Sequence, residues 1–223
     1  MADFTLYYWP VPFRGEFIRA LLAHQGVTFD EPDSEAVSDM MGLDPRAQPV
    51  PHMAPPMLVH NPSGEAVAEM PAICFWLGER FGLMPDDPYE RAVTLKIIND
   101  ANDVLDEMTL DGGRSMWTED TWAEYQPRLS HWMQIWEATY ESGWLSKGKV
   151  DLAQIVTSTL WGVMTERLPR LRTVLEAEAP HITRLTDRLR ALPALAGQAK
   201  DSRERFGETW CGGDIEASLR RVL

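Results

Sequence analysis

The sequence predicts an α/β unit followed by an all-helical unit, and three observations carry that expectation. Strand and helix signals alternate through the first part of the chain. Beyond the turn-forming run Pro85-Asp86-Asp87-Pro88 the strand signals stop and apolar residues recur at helical spacing. Prolines and glycines then punctuate the chain where helices start and stop.

The elements follow in order. Phe4-Thr5-Leu6-Tyr7-Tyr8-Trp9 is rich in strand formers and ends at Pro10, so it reads as a strand running into a loop. From Gly15 to Gln25 the apolar residues Phe17, Ile18, Leu21 and Leu22 share one helical face, and Gly26 stops the helix. Val27-Thr28-Phe29 reads as a second strand, with a polar loop from there through Pro51. Pro56 to His60 and Glu65 to Ala68 form a hairpin around Asn61-Pro62-Ser63-Gly64. A helix starts at Pro71, which needs no N–H at the first helical position, carries Ile73, Trp76, Leu77 and Phe81 inward, and ends near Gly82. Residues 89–111, 119–142, 151–167, 169–177 and 180–191 read as helices. Asp151 and Gln154 stand in capping-box positions at the start of the third of these. The expected division is a first domain over 1–82, a linker over 83–88 and a helical domain over 89–223.

Composition bounds the function. A chain of 223 residues buries a sizeable core, and 44% hydrophobic with 25% charged residues is the balance of a globular protein. The sequence holds no apolar run of the length a membrane helix needs. The start of the chain, Met1 to Leu6, has neither the basic region nor the apolar stretch of a signal peptide, so a cytoplasmic location is expected. A net charge of -13 opposes binding to nucleic acid and to anionic membranes. The basic residues of 167–190 alternate with acids and leucines, the pattern of a solvated helix face. Cys74 and Cys211 stand far apart and the five histidines are scattered, so neither a disulfide nor a metal site is expected.

Three landmarks carry a resemblance. The first is Tyr8-Trp9-Pro10-Val11, with Arg14 and Arg19 beyond it in Gly15-Glu16-x-Ile18-Arg19. The second is Pro56-Met57-Leu58, followed by the hairpin and Glu69-x-x-Ala72-Ile73. The third is Asp151-Leu152-Ala153-Gln154-Ile155. In this order and at these separations they resemble the cytosolic glutathione transferases of the tyrosine type, nearest the sigma, pi and mu classes and in a bacterial-type form. The resemblance covers nearly the whole chain. It implies a thioredoxin-like glutathione-binding domain (β-α-β-ββ-α) and a C-terminal all-helical bundle. It also implies glutathione as co-substrate, a small hydrophobic electrophile as second substrate, no metal, and a homodimer.

The chemistry of such a family requires a thiolate. A free thiol ionises near ~8.5, and lowering that by about two units takes roughly 2.7 kcal/mol of preferential stabilisation. A hydroxyl donating to sulfur supplies part of it and a nearby cation the rest. The resemblance gives these roles to Tyr8 and Arg14; Tyr7, the rival hydroxyl, falls on the opposite face of the strand. It gives glutathione contacts to Trp9, His52, Pro55, Pro56, Glu69, Met70 and Asp103, the last across a dimer interface. Arg46 and His52 are both candidates for the glycine carboxylate. Pro56 corresponds to the family's cis proline. Two positions depart from the pattern: Pro55 has no N–H to offer glutathione, and Met70 stands where the family carries a serine. Phe13 stands where many relatives have glycine, and Trp9, Met108 and Trp117 are the candidate wall for the electrophile. The expected function is conjugation of glutathione to electrophiles, with hydroperoxide reduction as a side activity. The alternative is a non-catalytic binding protein with an altered thiol site. Disulfide exchange is set aside, because no cysteine lies near the start of the first helix.

Overall fold

The computed structural model describes residues 2–145 and 148–223. Its first part is a four-stranded sheet of β1 (Phe4–Tyr7), β2 (Phe29–Asp30), β3 (Met57–His60) and β4 (Glu65–Ala68), in the order β2-β1-β3-β4. β1 runs parallel to β2 and antiparallel to β3, and β3 is antiparallel to β4. The helices α1 (Phe13–Gln25) and α3 (Met70–Arg80) pack together, and α3 also lies on β3 and β4. This is the thioredoxin-like arrangement.

Two local expectations are corrected. The second strand lies at Phe29–Asp30, not at 27–29. The stretch read as loop contains α2 (Ser34–Gly42), capped by the Asp33 carboxylate accepting the Ala36 N–H at 2.9 Å. Val37 is the single buried residue of α2, although Val37, Met40 and Met41 fall at helical spacing, a signal within a short polar stretch.

The second part is helical: α4 (Pro88–Met108), a short turn α5 (Leu110–Gly113), α6 (Glu119–Glu141), α7 (Leu152–Arg167), α8 (Arg170–Glu178), α9 (Pro180–Arg190), α10 (Pro193–Phe206) and α11 (Gly213–Val222). The five expected helices are all present. The first stops at Met108 instead of running to 111, because Leu110, Asp111 and Gly112 take positive φ. The helices α10 and α11 were not read from the sequence. Within the basic stretch 167–190, Arg170, Arg184 and Arg188 are exposed as expected. Arg167 is not: it is 1% exposed, its guanidinium reaches the Gly207 carbonyl, and burial lowers its pKa.

The centre of the helical part is α7, in which every residue but Glu166 is buried. A helix apolar or small on all sides belongs at the middle of a bundle, and α7 packs against α1, α4, α8 and α9. Its start is fixed at the junction between the two parts. The Asp151 carboxylate accepts the Gln154 N–H at 2.9 Å, and the Leu152 N–H donates to the Leu83 carbonyl at 3.1 Å. Asp151→Ala is therefore expected to lower stability by about 1 kcal/mol. Urea unfolding checks it: the midpoint falls while the slope stays the same.

Candidate functional site

The sheet register brings two of the three landmark segments and the start of α3 to one place. Tyr7 pairs with Met57, so one step further Tyr8 lies across from Pro56. Met57 pairs with Ala68, so Glu69 lies on the other side of Pro56, and the Glu69 N–H donates to the Pro56 carbonyl at 3.1 Å. The Pro55–Pro56 peptide bond is cis. The end of β1, the cis-proline loop and the N-terminus of α3 thus share one edge of the sheet.

Tyr8 is buried, continuing the inward parity of Phe4 and Leu6. Its oxygen accepts the backbone N–H of Arg14 at 3.1 Å, in the first turn of α1. That bond uses a lone pair and leaves the hydroxyl proton free to be donated elsewhere. Burial pushes the Tyr8 pKa up to about 12, against the opposing pull of Arg14, so the group is a proton donor at neutral pH. Gly15 makes room for its ring: a Cβ there would lie 2.9 Å from Tyr8 Cε1 and closer still to Cδ1.

The guanidinium of Arg14 is turned to the helical part, donating to Asn102 Oδ1 and Asp106 Oδ1 on α4, both at 2.9 Å. Arg14 therefore meets Tyr8 through its backbone and joins the two parts through its side chain. Arg19, fully buried, shapes the turn between β1 and α1. It donates to the carbonyls of Val11 and Pro12 at 3.0 and 3.3 Å, and to Glu31 at 2.9 and 2.7 Å. Its guanidinium sits 5.8 Å from the centre of the Tyr8 ring. The sequence marks Arg19 as a landmark; its role in holding the turn emerges only in the fold.

Glu69 stands at the N-cap position of α3, with no side-chain cap bond, at φ of +72°, a backbone conformation that costs a non-glycine residue on the order of 1–3 kcal/mol and clusters at functional sites. Met70 follows at the first helical position, its side chain fully buried with Sδ 3.7 Å from Cys74 Sγ. Only its N–H belongs to the helix start. Pro71 occupies the second position rather than the first, and removes a donor there.

The other predicted residues are placed as follows. Trp9 is half-buried and its carbonyl accepts the Val11 N–H at 2.8 Å. His52 is bonded within its own loop, its N–H to Gln48 Oε1 at 2.8 Å and its Nδ1 against the Val50 carbonyl at 2.9 Å. Arg46 is exposed. Asp103 faces outward on α4; partial burial and the neighbouring Asp100, Glu107 and Asp106 raise its carboxyl above the usual range. Met108 and Trp117 are core rather than cleft wall, with the Trp117 indole N–H donating to the Met108 carbonyl at 3.0 Å.

Phe13 has φ of +31°, and its ring packs edge-on against Trp210 with centroids 5.2 Å apart. Its N–H donates to the Trp210 carbonyl at 3.2 Å. The segment carrying Trp210 is held by the Glu216 carboxylate, which accepts the N–H groups of Trp210, Cys211 and Gly212 at 2.9, 2.9 and 2.6 Å. This C-terminal strap lies against the β1–α1 turn, a part of the site that the sequence reading missed. Its signal was present in Gly212-Gly213 ahead of Glu216 and Arg220, one helical turn apart and bonded at 2.8 Å. Burial raises the thiols of both Cys74 and Cys211, the latter to about 12, so neither is an activated nucleophile.

The chain thus joins a thioredoxin-like domain to a helical bundle, with the Tyr8 hydroxyl at the end of the first strand beside a cis-proline loop. The sequence profile of the glutathione S-transferase C-terminal domain matches residues 93–222, more than half of the chain. The chain belongs to the glutathione S-transferase family. Solved structures agree on the fold. Monomeric Na-GST-3, a glutathione S-transferase of the hookworm Necator americanus, is 15% identical with a TM-score of 0.71, over 89% of this chain and 97% of that one. The glutathione S-transferase of Ascaris lumbricoides is 20% identical with a TM-score of 0.69, over 90% and 97%. Prostaglandin synthase D of Nilaparvata lugens is 20% identical with a TM-score of 0.65, over 89% and 97%. No curated protein matches the chain by sequence.

Proposed function

We propose that this site activates the thiol of glutathione and conjugates it to small hydrophobic electrophiles, as a tyrosine-type transferase. The observation that carries the reading is Tyr8, whose oxygen is occupied by the Arg14 N–H while its proton is free. A donor fixed in this way stabilises a thiolate over a thiol. The thiol proton is released to water and the sulfur attacks an electrophilic carbon; a carbon–sulfur bond forms as the leaving group departs, or as the activated double bond takes up the electrons and a proton from water. Tyr8 keeps its proton throughout. Pro55 offers its carbonyl to the cysteinyl N–H, Glu69 accepts from the γ-glutamyl ammonium, and the Met70 N–H receives the γ-glutamyl carboxylate. Trp9 and His52 line the remaining glutathione contacts, and Asp103 reaches the ligand of a second copy in a homodimer. Hydroperoxide reduction with glutathione is a side activity of the same thiolate.

A second reading, a non-catalytic glutathione-binding protein, is favoured by two particulars. Pro55 has no N–H, and the Met70 side chain is turned into the core, away from the ligand. Glutathione titration by calorimetry, followed by turnover with an aromatic halide, separates the two. Saturable binding with thioether formation supports the transferase; binding without turnover supports the second reading, and absence of both removes each. Light scattering tests the dimer, which requires about twice the 25.3 kDa chain mass. Among the described residues no helix is long and apolar enough to cross a membrane, and a cytoplasmic location is proposed.

A further inference from the structure

The sequence offers no metal motif because its histidines and acids are scattered, yet the fold gathers three of them. Glu137 and Glu141 lie one turn apart on α6, and His181 stands at the start of α9. Their donor atoms all fall within 4.8 Å of one another. The Glu137 side chain is 12% exposed, and its oxygens accept the backbone N–H of His181 at 2.9 and 3.1 Å and of Ile182 at 3.2 Å. His181 Nδ1 lies 2.5 Å from Glu137 Oε1, and its ring is stacked on Tyr140 with centroids 5.0 Å apart and planes at 24°. Glu141 is exposed at the end of α6.

We propose that Glu137, Glu141 and His181 form a binding site for a divalent transition metal of the zinc type, one that clamps α6 to α9. One imidazole nitrogen with two carboxylate oxygens suits zinc and its neighbours; magnesium and calcium prefer all-oxygen sets. Two carboxylates also balance the double positive charge, which matters beside the positive end of α9. The surroundings resemble an outer shell in function: backbone N–H groups orient the Glu137 carboxylate, and Tyr140 fixes the plane of the imidazole. All three ligands stand on helices rather than loops. The metal takes the place of the proton between His181 Nδ1 and Glu137, which opens that pair to about 3.3 Å, the spacing of ligands bound at about 2.0–2.1 Å in a tetrahedral site. Water completes the coordination. The site shares no residue with Tyr8 and its neighbours, so it stands whether or not the chain conjugates glutathione.

Calorimetric titration of zinc chloride into the metal-free full-length protein tests it, alongside His181→Ala, Glu141→Gln and Cys211→Ser. One zinc equivalent is expected to bind saturably to the unaltered protein and to raise its melting temperature. His181→Ala and Glu141→Gln are each expected to weaken that binding by at least about tenfold and to remove the thermal shift. Cys211→Ser is expected to change neither, which sets aside capture by the half-buried thiol. Glu141→Gln alters only an exposed carboxylate, so it keeps the test open should His181→Ala disturb the start of α9. Cobalt bound at the same site is expected to lack the intense absorption of thiolate coordination. No saturable uptake up to about millimolar zinc, or uptake undiminished in both ligand variants, overturns the proposal.

Discussion

Tyr8→Phe is expected to lower turnover of glutathione with an aromatic halide by about ten- to a hundredfold at neutral pH. A hydrogen bond to a charged partner contributes about 1.5–3 kcal/mol, and about 1.4 kcal/mol is a factor of ten. The loss falls on the reactive thiolate, so kcat/KM carries it, while glutathione affinity, spread over several contacts, changes little. It also shrinks as pH rises past ~8.5, where the thiol ionises without help. A pH profile of kcat/KM with the same shape and height in both proteins would remove Tyr8 from the mechanism. Stability gives a separate readout. The buried hydroxyl titrates at about 12 against ~10 in an unfolded chain, so between those values the folded state keeps a proton that the unfolded state releases. Stability is therefore expected to fall as pH rises above ~10, with the buried Cys74, Cys211 and Tyr125 acting in the same direction, and Tyr8→Phe to make that slope shallower by about one proton's worth.

The fold was legible where caps, prolines and glycines mark the ends of elements. β4 begins and ends where its residues said it would, and α4, α6, α7, α8 and α9 each start within a residue of expectation. What escaped were α2, α10 and α11, each of which buries few side chains. The helix α2 buries a single side chain, and α10 only Leu195, Ser202 and Phe206. The candidate site was legible as a set of residues but not as an arrangement. Tyr8, Pro56 and Glu69 converge because of sheet register, which a linear pattern does not give. Arg14 was legible as a cation near Tyr8 that could also orient it; that its backbone N–H is what meets the Tyr8 oxygen, while its guanidinium bonds Asn102 and Asp106, emerges only in the fold. The role of Met70 became concrete only once its side chain was found in the core beside Cys74. The Glu216 strap is held by local bonds to Trp210, Cys211 and Gly212, but its place against Phe13 joins the two ends of the chain, which no local signal gives.

Gly15→Ala is expected to destabilise the protein by about 1–3 kcal/mol, although the same change in an ordinary exposed helix stabilises by up to about 1 kcal/mol. The added Cβ would lie 2.9 Å from Tyr8 Cε1, closer to Cδ1, and 3.0 Å from Arg19 Nη1. Neither neighbour can yield easily. The Tyr8 ring is buried and its oxygen is tied to the Arg14 N–H, one residue before the substitution. The Arg19 guanidinium is fixed by Glu31 and by the Val11 carbonyl. Whatever relief the chain finds must move the hydroxyl, so activity is expected to fall together with stability. Gly197→Ala supplies the contrast: that glycine lies inside α10, exposed, with nothing within 4 Å of an added Cβ. There the substitution is expected to stabilise, by reducing the freedom of the unfolded chain. Urea unfolding of both variants decides the matter. Opposite signs mean that Gly15 is required by the close approach of Tyr8 and Arg19, and a gain at both positions would mean that the approach is looser than 3 Å and that the hydroxyl is not held in place from below.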